Sequence, residues 1–157
     1  MKNIYFPEEE ISKDDLYFVC SMIERTARKI NQPNRYVVER MGKRGLVDKL
    51  SVANVLHSEN PEAVAQQWIE EYGLECGGFD VSQVNPDLAA RIPTVLQMGK
   101  VYARLVLSTL THEEDYADGI LRIYHSPICR TIDNYNSSAY YEPSYFITRA
   151  YYQGNFN

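Results

Sequence analysis

Histidine and cysteine are the side chains that most often act as general bases and nucleophiles near neutral pH, and the chain contains three of each. They are His57, His112 and His125, and Cys20, Cys76 and Cys129. His125 precedes Cys129 by four residues, the spacing that brings two side chains together on one face of a helix. However, Ser126-Pro127 lies between them and interrupts a helix, and no third residue is evident that would orient the imidazole. A small enzyme that uses His125 and Cys129 is therefore kept only as a second alternative, after the protein-binding and DNA-binding functions considered below.

The sequence contains no pattern typical of a phosphate-binding loop, a calcium-binding loop or a zinc site. Gly42-Lys43-Arg44-Gly45 has neither the spacing of a phosphate-binding loop nor a predicted strand before it. The acidic cluster at 113–118 does not follow the alternating spacing of a calcium loop. It suits the first turn of a helix instead, where carboxylates interact favourably with the helix dipole. No Cys-x-x-Cys pair that could hold zinc occurs, so we expect no metal and no cofactor.

The charge of the chain is unevenly distributed. It carries 16 basic and 21 acidic residues, a formal net charge of −5, which argues against non-specific nucleic-acid binding by the whole surface. Eight basic residues nevertheless lie between positions 25 and 49, and Arg35, Arg40, Lys43 and Arg44 among them form a candidate basic patch. Residues 59–75 carry five acids and no base. Either these two stretches neutralise one another within the fold, or the basic stretch binds an acidic partner.

A DNA-binding regulator that uses residues 25–49 is the first alternative. Two predicted helices, 33–41 and 46–57, flank a glycine-containing segment and have the outline of a helix-turn-helix motif. Any helical hairpin shares this outline, and the second helix brings only Lys49 to contact DNA. Nucleic acid is therefore a less favoured partner than another protein.

Tyrosine is concentrated near the C-terminal end, where six of the 13 tyrosines lie between positions 135 and 152. Tyrosine provides a large, rigid contact surface with a polar tip and is enriched in protein interfaces. So short a segment cannot bury six rings, so we expect some of them to be exposed. The predicted partner-binding residues are Tyr135, Asn136, Ser138, Tyr140, Tyr141 and Tyr145.

The elements that position these residues are helices throughout. The pattern of apolar residues predicts helices over 12–30, 33–41, 46–57 and 60–72, and further helices beginning near Thr111-x-x-Glu114, Ser126-Pro127 and Pro143. Residues 93–110 form a long predicted helix in the second half of the chain. Its residues are mostly apolar or small, and its polar residues are confined to one narrow stripe. This pattern predicts a central helix that is buried over most of its circumference.

The predicted fold is an all-α, compact bundle of seven or eight helices. We expect one domain over 1–157, with the alternative of two packed halves, 1–75 and 86–157, joined by a connection that contains Gly and Pro. No apolar run has the length of a membrane span, and the N-terminal residues lack the pattern of a signal peptide. With an odd number of cysteines, these observations predict a cytoplasmic protein with free thiols and no membrane association.

Two stretches resemble known sequences. From Leu16 to Tyr72 the chain resembles a family of short bacterial helical proteins classified as a domain of unknown function, through Phe18-Val19-Cys20, Gly45-Leu46-Val47-Asp48 and Val55-Leu56-His57. Residues 134–152 are similar to the Asn-Ser-Ser-x-Tyr-Tyr-x-x-Pro-x-Tyr tail of small proteins encoded beside such genes. Members of that family are often encoded next to proteins resembling ADP-ribosyltransferases. The resemblance therefore implies an antitoxin-like or accessory module whose partner is a co-encoded toxin. The tyrosine-rich segment and the lack of a catalytic arrangement of residues predict, as the favoured function, a non-enzymatic protein that binds another protein.

Overall fold

The structure, a computed structural model, describes all 157 residues and is all-α. Its seven α-helices are α1 (Lys13–Lys29), α2 (Asn34–Leu56), α3 (Pro61–Glu71), α4 (Val95–Thr109), α5 (Tyr116–Tyr124), α6 (Cys129–Ile132) and α7 (Ser144–Gln153). A short 3-10 helix covers Ala139–Tyr141, and no β-strand forms. The predicted all-α bundle is confirmed. None of the helices combines the length and the apolar character that crossing a membrane requires.

The ends of α1 and α3 are set by local side-chain chemistry. Ser12 accepts a hydrogen bond from the backbone N–H of Asp15, whose carboxylate accepts the N–H of Ser12 in return. Asn60 accepts from the N–H of Glu62 at the start of α3. At the end of α1, Asn31 has φ 53°, a left-handed conformation that asparagine tolerates better than most residues. These helix ends agree with the predicted ones.

The break within α2 is smaller than the sequence pattern indicates. Two helices separated by residues 42–45 are predicted, but only Gly42 departs from helical geometry, with φ 66° and ψ −179°. Essentially only glycine adopts this combination. The next residues, Lys43 to Gly45, already belong to the helix that follows. The predicted break is therefore confirmed but is confined to Gly42, and α2 lacks the turn of about three or four residues that a helix-turn-helix motif uses.

Helices α1 and α4 lie at the centre of the molecule. α1 packs against α2, α3 and α4, and α4 packs also against α5 and α7. The two helices approach closely where Gly99 of α4 meets Ser21 of α1, since a Cβ at position 99 would lie 2.9 Å from the backbone N and Cα of Ser21. One continuous core therefore includes residues of both sequence halves, such as Trp68 and Ile120.

The predicted central helix 93–110 corresponds to α4. It begins at Val95, because Thr94 and Gln97 form a capping box at that point. The predicted polar stripe of Gln97, Lys100, Arg104, Ser108 and Thr111 is exposed, although Thr111 lies beyond the end of the helix. The remainder of the helix is buried or half-buried except for Leu96, which is 63% exposed.

The long connection between α3 and α4 lies against two other parts of the chain. The N–H of Gly77 donates to the carbonyl of Ile30 at 2.8 Å, which holds the connection to the end of α1. The N–H of Asn85 donates to the side chain of Asn136 at 2.6 Å. These contacts fix residues 79–84 beside the C-terminal part of the chain.

Two helices of the second half are shorter than predicted. The helix expected to begin near Ser126-Pro127 is a single turn, α6, which starts at Cys129 and ends at Ile132. The helix expected after Thr111 starts only at Tyr116, because Asp115 is its capping residue. The C-terminal segment therefore contains more irregular backbone than the pattern indicates, and this backbone forms parts of both clefts described below.

Candidate functional site

Most of the basic stretch 25–49 is neutralised within the fold. Five of its eight basic side chains form ion pairs: Arg25 and Lys29 with Glu62, Arg28 with Glu24, Lys43 with Asp115 and Asp118, and Lys49 with Asp48 and Glu71. Beside Arg25 the pKa of Glu62 is lowered, and beside Lys43 the pKa of Asp118 is lowered. Glu62 and Glu71 belong to the acidic stretch 59–75, so the two stretches neutralise one another in part, whereas Arg28 and Lys43 pair with acids elsewhere in the chain.

The predicted basic patch is divided among different surroundings. Lys43 is paired with acids of α5 and its N-cap. The guanidinium of Arg40 lies 5.2 Å from the ring centroid of Tyr36, and Arg35 lines a cleft beside α6. Arg44 is exposed. Of the eight basic residues on which the DNA-binding hypothesis rests, only Arg35, Arg40 and Arg44 form no ion pair and are free to contact DNA.

A buried carboxylate, Glu24, joins four parts of the chain. It is 2% exposed and accepts hydrogen bonds from Arg28 Nε at 2.7 Å, Asn34 Nδ2 at 2.9 Å and the Tyr135 hydroxyl at 3.1 Å. Arg28 also donates to the carbonyl of Pro93 at 2.8 Å. A buried charge is tolerated when it is paired and hydrogen-bonded in this way. We call these residues the Glu24 network.

A second carboxylate, Asp133, lies beside the Glu24 network directly after α6. Its Oδ1 accepts a hydrogen bond from the Tyr102 hydroxyl at 2.6 Å, and Asn34 Nδ2 lies 3.4 Å from the same oxygen. Burial of the carboxyl group and the nearby charge of Glu24 raise the pKa of Asp133 to about 8, because both disfavour the ionised form. Asp133 is therefore mostly protonated at neutral pH.

Asp133 lines a cleft of about 540 Å³, a size found among small-molecule binding sites. Its walls come from residues 79–84 of the connection, from the start of α2 and from residues 129–136. Arg35 and Arg130 contribute guanidinium groups to the lining. We call this the Asp133 cleft.

A smaller cleft of about 220 Å³ lies between α4 and the C-terminal segment. Lys100 and Arg104 line it from α4, and Tyr140, Tyr141 and Glu142 line it from the opposite side. Neither Lys100 nor Arg104 forms an ion pair. The Tyr141 side chain is 80% exposed. We call this the α4–tail cleft.

The predicted partner-binding residues lie on more than one surface. Tyr135 is 3% exposed and its hydroxyl donates to Glu24, so its assignment to a surface contact is corrected. Tyr135 and Asn136 line the Asp133 cleft, whereas Tyr140 and Tyr141 line the α4–tail cleft. The two remaining residues, Ser138 and Tyr145, are exposed. The tyrosine-rich segment thus contains both buried and exposed rings, as expected.

His125 and Cys129 form hydrogen bonds to the backbone. The Cys129 thiol donates to the carbonyl of Ile123 at 2.8 Å, and His125 Nδ1 lies 2.6 Å from the carbonyl oxygen of Leu121. Burial raises the pKa of the Cys129 thiol to about 11, so the thiol is protonated at neutral pH and is a weak nucleophile. This geometry does not support the enzyme hypothesis.

Sequence analysis missed two acids, the buried Glu24 and the half-buried Asp133. Glu24 had a usable signal, because it follows Cys20 by four residues on the apolar face of α1 and precedes Arg28 by four. Asp133 had none, because its partners Tyr102 and Asn34 are distant in sequence. Only the packing of α2, α4 and α6 brings these three side chains together.

The fold and these sites define an all-α protein with one cleft beside a buried carboxylate network and another beside its tyrosine-rich segment. No family model matches the chain, and no curated protein or solved structure matches it either. The resemblance of two stretches to bacterial helical proteins therefore stays a prediction.

Proposed function

We propose that this chain is a protein-interaction module that binds an acidic surface of another protein at the α4–tail cleft. The observation that carries the proposal is the presence of two unpaired cations, Lys100 and Arg104, in the same cleft as the strongly exposed ring of Tyr141. Aromatic and arginine side chains are the ones that most often dominate binding energy in protein interfaces. Glu142 is the only acid in the cleft lining, which leaves the cleft with a net positive charge.

The tyrosines of this surface are held by the core. The ring of Tyr140 contacts Tyr141 with a centroid distance of 6.1 Å and contacts the buried Tyr135 at 5.5 Å. The Ser108 and Thr148 hydroxyls, 2.6 Å apart, connect α4 to α7. A surface that is ordered before binding loses less conformational entropy on association, which favours a specific partner.

A second groove borders the α4–tail cleft, and its lining is of mixed charge, because it includes Asp14, Asp15 and Glu59 as well as basic side chains. Lys100 and Arg104 also line this open groove of about 820 Å³, which reaches α1 and the end of α2. Leu96, the exposed apolar residue of α4, lines the same groove. A partner can therefore contact both sides of the exposed stripe of α4.

The finer proposal follows from the sequence resemblance. We propose that the partner is a co-encoded toxin and that the chain is a bacterial antitoxin-like or accessory protein that works in the cytoplasm. Its three cysteines are all free, which is typical of proteins in reducing compartments. The ion pairs of the basic stretch and the hydrogen-bonded, protonated thiol of Cys129 favour this proposal over DNA binding and enzymatic activity.

Site-specific crosslinking tests the proposal. A photoreactive phenylalanine analogue placed at position 141 of the full chain is expected to form one discrete covalent adduct with another protein in the cells that produce it. The same analogue at position 5 provides a matched control, because Tyr5 is also exposed but lies near Asp48 of α2. An equal adduct from both positions, or none from position 141, contradicts the proposal.

Charge reversal tests the acidic character of the partner. Lys100→Glu combined with Arg104→Glu is expected to remove the adduct at position 141, whereas Lys2→Glu with Lys13→Glu, at two other exposed residues, is expected to leave it. An adduct that survives reversal at α4 rules out charge recognition there. An adduct with a second copy of the chain or with nucleic acid also contradicts the proposal.

Point substitutions are needed, because truncation of the tail would remove Ile147 and Ala150 from the buried interior.

A further inference from the structure

The Asp133 cleft presents a set of hydrogen-bond donors that the rest of the fold does not use. Arg35 and Arg130 line it, are exposed and form no ion pair. Asn134 and Asn136 use their side-chain oxygens to accept backbone N–H groups at 3.1 and 2.6 Å. The orientation of both amides is thereby fixed, and their N–H₂ groups have no protein acceptor. Four donor groups thus line one cleft.

The cleft carries a net positive charge when Asp133 is protonated. Its two guanidinium groups face two acids, Asp80 and Asp133. Hydrogen bonds from Ser82 lower the pKa of Asp80, so that carboxylate is ionised. Asp133 contributes little negative charge, because burial and the charge of Glu24 keep it mostly protonated. The balance of two cations against one carboxylate favours an anionic ligand.

One wall of the cleft is apolar. Phe79 is 40% exposed, and Val81 and Val84 of the same segment also line the cleft. An exposed phenyl ring provides a flat surface against which another ring packs. The segment is held in place by its hydrogen bonds to the end of α1 and to Asn136, so this wall is present before a ligand arrives.

We propose that the Asp133 cleft binds a small anion, a carboxylate or a phosphate, that carries a flat apolar group. The guanidinium groups of Arg35 and Arg130 hold the anion, since planar guanidinium pairs well with the oxygens of both anions. The apolar group packs against Phe79. This inference is independent of the proposed protein-binding function, because Lys100, Arg104 and Tyr141 do not line this cleft.

Titration of the full chain followed by amide NMR tests the inference. Phenyl phosphate and benzoate are the probes for the two anions, with inorganic phosphate and benzylamine for comparison. We expect phenyl phosphate or benzoate to shift amide signals of residues 79–84 and 129–136, and the tighter of the two identifies the anion. Inorganic phosphate is expected to bind more weakly in the same place. Benzylamine binding as tightly as the aromatic anions, or no shift in the cleft with either anion, overturns the inference.

Paired substitutions separate the cleft from general charge effects. Arg35→Gln with Arg130→Gln is expected to weaken binding of the aromatic anion by at least about tenfold. Arg40→Gln with Arg44→Gln removes two exposed arginines that do not line the cleft and is expected to leave affinity unchanged. Retained affinity in the first variant, or equal loss in both, refutes the inference.

A third variant tests the apolar wall. Phe79→Ala is expected to abolish the preference for phenyl phosphate over inorganic phosphate while phosphate itself still binds. All three variants are first compared with the unsubstituted chain by circular dichroism and thermal unfolding. Since every substituted side chain is exposed, we expect them to fold. A preference that survives Phe79→Ala contradicts the role of the ring.

Discussion

Two carboxylates that lie close together, Glu24 and Asp133, have different partners. Glu24 forms an ion pair with Arg28 at 2.7 Å and accepts two more hydrogen bonds. Asp133 forms no ion pair, and its shortest hydrogen bond comes from the neutral Tyr102 hydroxyl. The effect of burial on Asp133 therefore exceeds that of the Tyr102 hydrogen bond and of the nearby arginines, and the pKa of Asp133 is raised rather than lowered.

The raised pKa of Asp133 predicts a specific dependence of stability on pH. Between the ordinary aspartate pKa of about 4 and the folded value of about 8, the folded chain holds a proton that the unfolded chain releases. The free energy of unfolding contributed by this group therefore falls as pH rises through that window. We expect Asp133→Asn to gain stability relative to the unsubstituted chain over this range, on the scale of about 1.4 kcal/mol per unit of pKa shift.

Urea unfolding of both chains between about pH 5 and about pH 9 measures this difference. The groups that surround Asp133 from the packed elements are Glu24, Arg28, Asn34, Arg35, Tyr102 and Cys129. They are the same in both chains, so the difference reports Asp133 together with its electrostatic interaction with these groups. Asp80→Asn, at an exposed acid of the same cleft, is the matched control and is expected to show no such gain. Parallel stability curves for Asp133→Asn and the unsubstituted chain would refute the assignment.

Within α2, one residue accounts for the change in helix direction. Gly42 combines φ 66° with ψ −179°, and a Cβ at this position would meet nothing within 4 Å. The cost of a side chain is therefore backbone strain alone. We expect Gly42→Ala to lower the free energy of unfolding by about 1–3 kcal/mol, measured by chemical denaturation.

Gly78→Ala provides the control for this substitution. A Cβ at position 78 also meets nothing within 4 Å, but the backbone there does not have a positive φ. We expect a change within about 0.5 kcal/mol. Equal effects of the two substitutions would show that loss of glycine, and not the conformation of Gly42, is responsible.

Across the whole molecule, the Glu24 network links α1, α2, the residue before the α4 cap and the C-terminal segment. Removing its acceptor leaves the guanidinium of Arg28 and the hydroxyl of Tyr135 without their common partner. We expect Glu24→Ala to lower the free energy of unfolding by about 3–5 kcal/mol, the range found when one partner of a buried ion pair is removed. Denaturant unfolding checks this value.

Glu39→Ala is the matched control for Glu24→Ala, since Glu39 is exposed and forms no ion pair. Its expected effect is within about 0.5 kcal/mol. A similarly small effect of Glu24→Ala would mean that the network does not join these elements energetically. A large effect would also explain why truncating the C-terminal segment, which supplies Tyr135, is unsuitable as a test of binding.

Local physics made much of the fold predictable. The all-α class, the capping residues Ser12 and Asn60, and the exposed stripe of α4 follow from side chains within one or two helical turns of each other. Charge pairing between the basic and acidic stretches was predicted as one of two alternatives. The extent of the break at Gly42 was not predicted, because the positions of Gly42 and Gly45 do not specify which of them adopts the unusual conformation.

Tertiary structure alone decided which residues share a cleft. Lys100 and Tyr141 line the same cleft, and Asp133 accepts a hydrogen bond from Tyr102, through packing between segments far apart in sequence. The tertiary structure also decided which tyrosines are buried. The sequence does not distinguish the tyrosines of this segment from one another, yet Tyr135 is 3% exposed and Tyr141 is 80% exposed. Hydrophobic periodicity specifies the buried face of a helix, but burial of a polar group depends on partners that only the assembled core supplies.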